Sequence, residues 1–197
     1  MAVAQTDLGA STPSRILEAA FRATLDFGLS RLTVEDVAQR AGLSRQTVYR
    51  YFPSKDHLVV ALVSREEEKF LDGVRAAFLE HEDLEEAVRQ SVRFVLSYAR
   101  SHPLIDRLLG PDESTFLPYV TTRALPVIVR ARETMIELLL ARAPHTDVET
   151  LRTVLDGTTR ALISYMLAES DRSIDDIASA MARLLAAVLM PDGEVIP

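Results

Sequence analysis

A short stretch of the chain concentrates side chains that hydrogen-bond to nucleobases. Positions 45–50 carry Arg45, Gln46, Thr47, Tyr49 and Arg50. Arginine donates two parallel hydrogen bonds to guanine, glutamine pairs with adenine, and threonine offers a hydroxyl and a methyl group that contacts thymine. A tyrosine hydroxyl reaches a phosphate while its ring packs on a sugar. Residues 44–55 contain three basic side chains and no acidic one. This composition is typical of a surface that reads the major groove of DNA.

Two short helices around one glycine are predicted to position these side chains. Thr33 caps the first helix, with Asp36 three residues later as in a capping box, and Ser44 caps the second. Gly42 tolerates the positive φ of a tight turn, and Ala38 is small enough for the helices to cross closely. The predicted inward faces carry Val34, Val37, Ala41, Leu43 and Val48, with Tyr51 and Phe52 at the bottom of the small core. The pattern predicts a helix-turn-helix; the alternative is a pair of amphipathic helices in a bundle.

The rest of the chain predicts an all-α fold. Glycine and proline together account for only 16 of 197 residues. Two Asp-Gly pairs typical of hairpins, at 72–73 and 156–157, lie inside helical periodicity, which favours helices there. Helix starts are expected near Thr12, Thr33, Ser44, Ser54, Asp83, Pro126, Thr146 and Ser173. The proline-containing stretch 103–126 predicts short helices and loops. We expect a disordered tail (1–11), a DNA-binding domain (12–58) and a helical body (59–197).

Charge and composition exclude several classes of protein. The net charge is −7, yet residues 1–60 sum to +1 and residues 61–197 to −8, so the cationic character is local. The absence of cysteine excludes a disulfide framework, a cysteine-ligated zinc site and a thiol nucleophile. No apolar run reaches the ~18 residues of a membrane span, and no secretory signal is present, so we expect a cytoplasmic protein without a membrane partner. His102 and Asp106 have metal-ligand spacing, but Pro103 disfavours a continuous helix between them. We predict neither metal nor cofactor.

The segment closely resembles the N-terminal signature of the tetracycline-repressor (TetR) family. The resemblance covers residues 12–62 and includes TVEDVAQRAGLSRQTVYRYFPSKDHLV, from Thr33 to Val59. Its most specific part is the pattern Tyr-x-Tyr-Phe-x-Ser-Lys-x-x-Leu, from Tyr49 to Leu58. Beyond residue 62 the resemblance is architectural. It implies a homodimer that binds operator DNA and releases it when a small effector enters the body.

The resemblance also implies roles for individual residues. Positions that contact phosphate in the family match Thr33, Tyr49 and Lys55. Positions on the recognition helix and its cap match Ser44, Arg45, Gln46, Thr47, Arg50 and Tyr51. Many members have an aromatic residue at the position of Arg50, so this chain has an additional positive charge there.

The last two predicted helices carry apolar stripes that fit an oligomer interface. The proposed interface residues are Leu151, Leu155, Leu162, Met166, Ile177, Met181, Leu184 and Val188. The stripe between residues 181 and 190 is too wide for one neighbouring helix to cover. A four-helix dimer interface is therefore favoured over packing within one subunit.

The resemblance implies an effector pocket in the body. Such pockets are mostly apolar with a few polar groups. The candidates are Phe94, Ser97, Tyr98, Leu104, Leu108, Phe116, Tyr119, Thr122, Met135, Thr159 and Tyr165. The sequence thus predicts a homodimeric, effector-responsive transcriptional repressor and not an enzyme. The alternatives are an all-α small-molecule-binding or scaffold protein without DNA activity, and a cofactor-free enzyme in the body.

Overall fold

The computed structural model describes residues 11–103, 105, 124–168 and 170–189. Within these residues the backbone forms eight α-helices and no strand, which confirms the predicted all-α class. The helices are α1 Thr12–Phe27, α2 Val34–Ala41, α3 Arg45–Tyr51, α4 Lys55–Leu79, α5 Leu84–Ser101, α6 Leu125–Arg142, α7 Val148–Leu167 and α8 Ile174–Leu189. None of these helices is long and apolar enough to cross a lipid bilayer. Apart from Ser11, the predicted disordered tail lies outside the described residues.

Most helices begin where the capping signals predict. The side chains of Thr33, Ser44, Asp83 and Ser173 each accept a hydrogen bond from the backbone N–H three residues later. Ser54 does the same for the N–H of His57 at 3.2 Å and caps α4. These bonds satisfy N–H groups that the first turn of a helix leaves without a partner. Both Asp-Gly pairs lie inside helices, in α4 and α7, as predicted.

Three helix starts differ from the prediction by one residue, and one of them is α6, which begins at Leu125 rather than Pro126. The cap of α1 is Ser11 rather than Thr12, with proline in the first turn. The cap of α7 is Asp147 rather than Thr146, because the Asp147 carboxylate accepts the N–H of Thr150 at 2.8 Å. A carboxylate is the stronger acceptor beside the positive end of a helix. This helix ends at Leu167.

The chain forms two compact units, Met1–Glu66 and Glu67–Pro197. The boundary lies inside α4, whereas the sequence placed the end of the DNA-binding domain at Leu58. In the first unit the fully buried side chains include Ile16, Val37 and Val48. This core joins α1, α2 and α3, and it holds the short α3 in place.

Among the described residues of the second unit, two clusters of buried side chains form core. The larger is built around Phe78, Leu139 and Leu151, which are completely buried. The smaller joins α5 to α8 through Val92, Leu96, Ile177 and Ala178. Arg142 donates to the carbonyl of Phe78 at 3.2 Å and so caps the end of α4.

Candidate nucleic-acid interface

The turn between α2 and α3 requires glycine. Gly42 has φ 64° and ψ 37°, the left-handed conformation. Its N–H donates to the Gln39 carbonyl at 3.2 Å, and the N–H of Leu43 donates to the Ala38 carbonyl at 2.9 Å. These two bonds form a Schellman motif, which ends α2 and redirects the chain. Arg15 of α1 donates to the carbonyl of Ala41 at 2.9 Å, so the end of α2 is also tied to α1.

The inward faces of α2 and α3 form the small core that the spacing predicts. Val37 and Val48 are fully buried, and Ala38 is 3% exposed. Tyr51 was expected to close this core, and that prediction is wrong because 40% of Tyr51 is exposed. The Arg50 guanidinium lies 5.2 Å from the centre of the Tyr51 ring. Tyr51 is therefore on the surface, where a DNA-contacting residue must lie.

The outward face of α3 presents the predicted base-reading side chains together. Gln46, Thr47, Tyr49 and Arg50 line one open recess on the surface. The remaining predicted residue of this helix, Arg45, is exposed, as is the cap Ser44. The Ser44 and Thr47 hydroxyls are 2.9 Å apart and hydrogen-bonded.

Sequence reasoning missed an acidic partner of this surface. Arg45 Nη1 lies 3.0 Å from Glu35 Oε2, and both side chains are more than half exposed. Residues 44–55 contain no acid, but α2 supplies one across the turn. The signal was available, because position 35 lies in the first turn of α2, where acidic residues are favoured. This ion pair competes with contacts between Arg45 and a base, although the guanidinium has further N–H donors.

Two of the three predicted phosphate-contacting residues, Thr33 and Lys55, lie at helix starts, and the third, Tyr49, lies within α3. Thr33 is exposed at the N-terminus of α2, where its hydroxyl also donates to the Asp36 carboxylate. Lys55 is half-buried in the first turn of α4, and its Nζ donates to the Ser30 carbonyl at 2.9 Å. An ammonium group has three protons, so Lys55 keeps donors for a phosphate. These roles remain predictions.

The predicted dimer interface divides into two groups. Leu151, Leu155 and Ile177 are at most 2% exposed and belong to the core of their own subunit, so assigning them to an interface is wrong. A residue without accessible surface cannot contact a partner. Leu184 is 63% exposed, and four others are partly exposed: Leu162, Met166, Met181 and Val188.

The described pocket candidates lie in several packing environments. Phe94 and Tyr98 pack together with ring centroids 5.5 Å apart, whereas Ser97 is exposed and does not face an interior cavity. Met135 packs against the larger core cluster and Tyr165 against the smaller one. Thr159 of α7 is half-buried. Five candidates lie outside the described residues: Leu104, Leu108, Phe116, Tyr119 and Thr122.

Of the pair with metal-ligand spacing, His102 and Asp106, only His102 lies within the described residues. His102 stacks on Tyr98 at 4.6 Å between ring centroids, and Asp106 lies outside the described residues. Within the part of the chain that the structure describes, no three metal-binding side chains lie close enough to hold an ion.

Comparisons with known proteins identify both parts of the chain. The family model for bacterial regulatory proteins of the tetR family matches residues 16–62. The model for the C-terminal domain of the bacterial tetracyclin repressor matches residues 83–187. An uncharacterized HTH-type transcriptional regulator of Mycobacterium tuberculosis is 30% identical over 158 residues, covering 80% of this chain and 77% of that protein.

Two proteins named AlkX are also similar. The HTH-type transcriptional regulator AlkX of Mycobacterium tuberculosis is 29% identical, over 79% of this chain and 74% of that protein. The crystal structure of the TetR family repressor AlkX from Dietzia sp. strain DQ12-45-1b is 28% identical, with a TM-score of 0.71, and covers 92% of this chain and 96% of that one. With a helix-turn-helix head and a matching C-terminal domain, the chain belongs to the TetR family of DNA-binding transcriptional regulators, which are not enzymes.

Proposed function

We propose that this regulator binds an inverted-repeat operator as a homodimer, represses transcription there, and releases the DNA when a small effector binds its second unit. The observation that carries the proposal is the outward face of α3, where four polar side chains share one recess. We place the protein in the cytoplasm, with the DNA that it binds.

The length of α3 supports two heads acting together. Its seven residues span about 10 Å at roughly 1.5 Å per residue. At about 3.4 Å per base pair, one helix covers only ~3 base pairs of the major groove. Two heads related by a twofold axis read two such half-sites, separated by about one helical turn or a multiple of it. In each head, Arg45 and Gln46 are the candidates for base contacts, and Thr33, Tyr49 and Lys55 are those for phosphate contacts.

The exposed apolar surface of α8 supports the homodimer. Leu184 is 63% exposed, and Ala187, one turn along the helix, is exposed as well. Large exposed apolar side chains on a helix face indicate a protein interface when they are contiguous. We expect Leu184→Glu to convert the dimer to monomers in sedimentation velocity. Leu79 is the matched control, since it is also 63% exposed but lies at the end of α4. Equal effects of Leu184→Glu and Leu79→Glu would refute this assignment.

The effector proposed here is small and apolar or amphipathic. The AlkX repressor of Dietzia is described as implicated in the biodegradation of n-alkanes. Its 28% identity over 92% of this chain supports an effector with a substantial apolar part for this regulator also. Binding would favour a dimer geometry in which the two α3 helices no longer fit successive major grooves. The loss of DNA affinity then equals the effector's differential affinity for the two geometries.

The decisive experiment selects DNA with the purified full chain. Random duplexes are enriched for binding, and the affinities for the selected repeat, one half-site and unrelated DNA are measured by fluorescence anisotropy. Arg45→Ala should cost about 1–3 kcal/mol on the selected repeat and much less on unrelated DNA if Arg45 reads a guanine. Equal losses on both would reassign Arg45 to a phosphate.

Arg22 offers a matched control within the same unit. It is an exposed arginine paired with Glu18 at 2.9 Å, much as Arg45 is paired with Glu35. Arg22→Ala should leave both affinities unchanged. If wild-type protein enriches no repeat at low salt, the proposal fails, and a small-molecule-binding or scaffold role becomes the better account of the chain.

A further inference from the structure

A carboxylate in the second unit is buried with one oxygen that has no hydrogen-bond partner. The Glu67 side chain is 10% exposed, and its Oε2 lies 3.2 Å from Arg130 Nη1. Its Oε1 is completely buried and has no hydrogen-bond partner. Leu71, Val74 and Phe78 follow at helical spacing on α4 and are at most 4% exposed. Glu67 therefore lies on the face of α4 that is directed into the second unit.

The adjacent carboxylate is in a different environment. Glu68 is 48% exposed and is bonded to both Arg130 and Arg75. Burial raises the pKa of Glu67 because it removes water from the charged form, and the charge of Glu68 raises it further, while Arg130 opposes both effects. With Asp72, which pairs with Arg75, the five linked side chains hold three carboxylates and two guanidinium groups. These five side chains therefore sum to one negative charge, beside an oxygen that can still accept a hydrogen bond.

Three aromatic rings pack together on the same part of the second unit, and one of them follows Glu67 by one turn of α4. Phe70 is three residues after Glu67 and so occupies a neighbouring position on the helix surface. Its ring centroid is 6.0 Å from that of Phe94 and 5.2 Å from that of Tyr98. Gly73 makes this packing possible, since a Cβ there would lie 2.1 Å from Phe94 Cζ. Ring faces attract cations through their quadrupole, and the attraction grows when water is excluded.

We infer that Glu67 recognises a positively charged N–H donor on an aromatic or apolar effector, with the donor on Oε1 and the apolar part against Phe70, Phe94 and Tyr98. This inference rests on the proposed effector response and adds the charge of the effector. A desolvated carboxylate gains most from a charge-assisted hydrogen bond. An anionic effector such as a fatty acid would instead be repelled by Glu67.

Three probes of one size test the sign of the charge. 4-Phenylbutylamine, 4-phenylbutanol and 4-phenylbutanoate differ only in their head groups, and isothermal titration calorimetry measures their binding to the full chain without DNA. The wild-type protein should bind the amine roughly tenfold more tightly than the alcohol, the difference expected between a charge-assisted and a neutral hydrogen bond, and the carboxylate most weakly. Glu67→Gln should abolish the preference for the amine. Glu68→Gln, the matched control on the same arginine, should keep it.

Two results would overturn the inference. One concerns the preference for the amine: the inference is overturned if the wild-type protein shows no such preference or binds no probe, or if the preference survives in Glu67→Gln. The other is a clear fall in the thermal unfolding midpoint of Glu67→Gln without probe, because it would make the pair with Arg130 a structural ion pair. An effector-recognition role predicts an unchanged or higher midpoint, since the variant removes a desolvated charge. Operator binding is measured separately, so failure here is distinguishable from failure of the proposed function.

Discussion

Replacement of Gly42 tests whether the turn geometry holds the recognition helix. Gly42 has φ 64° and ψ 37°, and among the described residues the atom nearest to an added Cβ is Arg15 Nη2 at 3.9 Å, which is an ordinary contact. The cost of Gly42→Ala is therefore a backbone cost of about 1–2 kcal/mol for the left-handed conformation. The lower entropy of the unfolded chain offsets about 0.4–1 kcal/mol of it. We expect a net loss of about 1 kcal/mol for alanine and about 2 kcal/mol for the β-branched Gly42→Val. Asparagine tolerates this conformation, so Gly42→Asn should cost less than either.

Hydrogen exchange followed by mass spectrometry measures this loss locally. A loss of about 1 kcal/mol lowers protection about fivefold and a loss of about 2 kcal/mol lowers it about thirtyfold. The lowered protection should appear in peptides covering residues 33–52, and peptides from α5 to α8 should exchange as in the wild-type protein. The order asparagine, alanine, valine is the essential result. If asparagine costs as much as valine, the left-handed conformation is not the cause. If α7 and α8 lose protection equally, the two compact units do not behave as separate folding units.

Three further substitutions test other contacts. Glu35→Gln should raise affinity for DNA up to about fivefold at low salt, because it frees Arg45 and removes a charge that repels phosphate. The gain should shrink as the salt concentration rises, and an unchanged affinity in an anisotropy titration would contradict this prediction. Gly73→Ala places a Cβ 2.1 Å from Phe94 Cζ and should cost about 1–3 kcal/mol in thermal unfolding, whereas a neutral result would show that the ring moves freely. Hydrogen bonds from Thr150 hold the pKa of the Asp147 carboxyl below its usual 3.8. The ionised carboxylate therefore stabilises the folded protein above pH 3.8, and this stabilisation is lost as the pH falls through the lowered pKa. Asp147→Ala should thus lower the thermal unfolding midpoint at pH 7 and have progressively less effect in acid. An effect that does not change with pH would show that the carboxylate charge is not the source of the stabilisation.

The helix-turn-helix could be predicted closely because its determinants are local. Thr33 and Ser44 cap helices through bonds to residues three positions away, and Gly42 ends α2 through bonds to the preceding turn. Such signals need no knowledge of the rest of the fold. The pairing of Arg45 with Glu35 crosses the turn, so it depends on the angle between two helices. Glu35 lies outside residues 44–55, so the composition of that segment gives no sign of the acidic partner.

The division of the apolar stripes on α7 and α8 depends instead on distant parts of the chain. Periodicity shows how many apolar residues share a helix face, but not which of them the same subunit covers. Leu151 and Leu155 are buried because Phe78 and Leu139, far away in sequence, complete the same cluster. Leu184 differs from Leu185 only in its angle around the helix, yet the first is 63% exposed and the second 2%. A stripe wider than its own subunit can cover therefore contains both core and surface, and only the three-dimensional packing separates them.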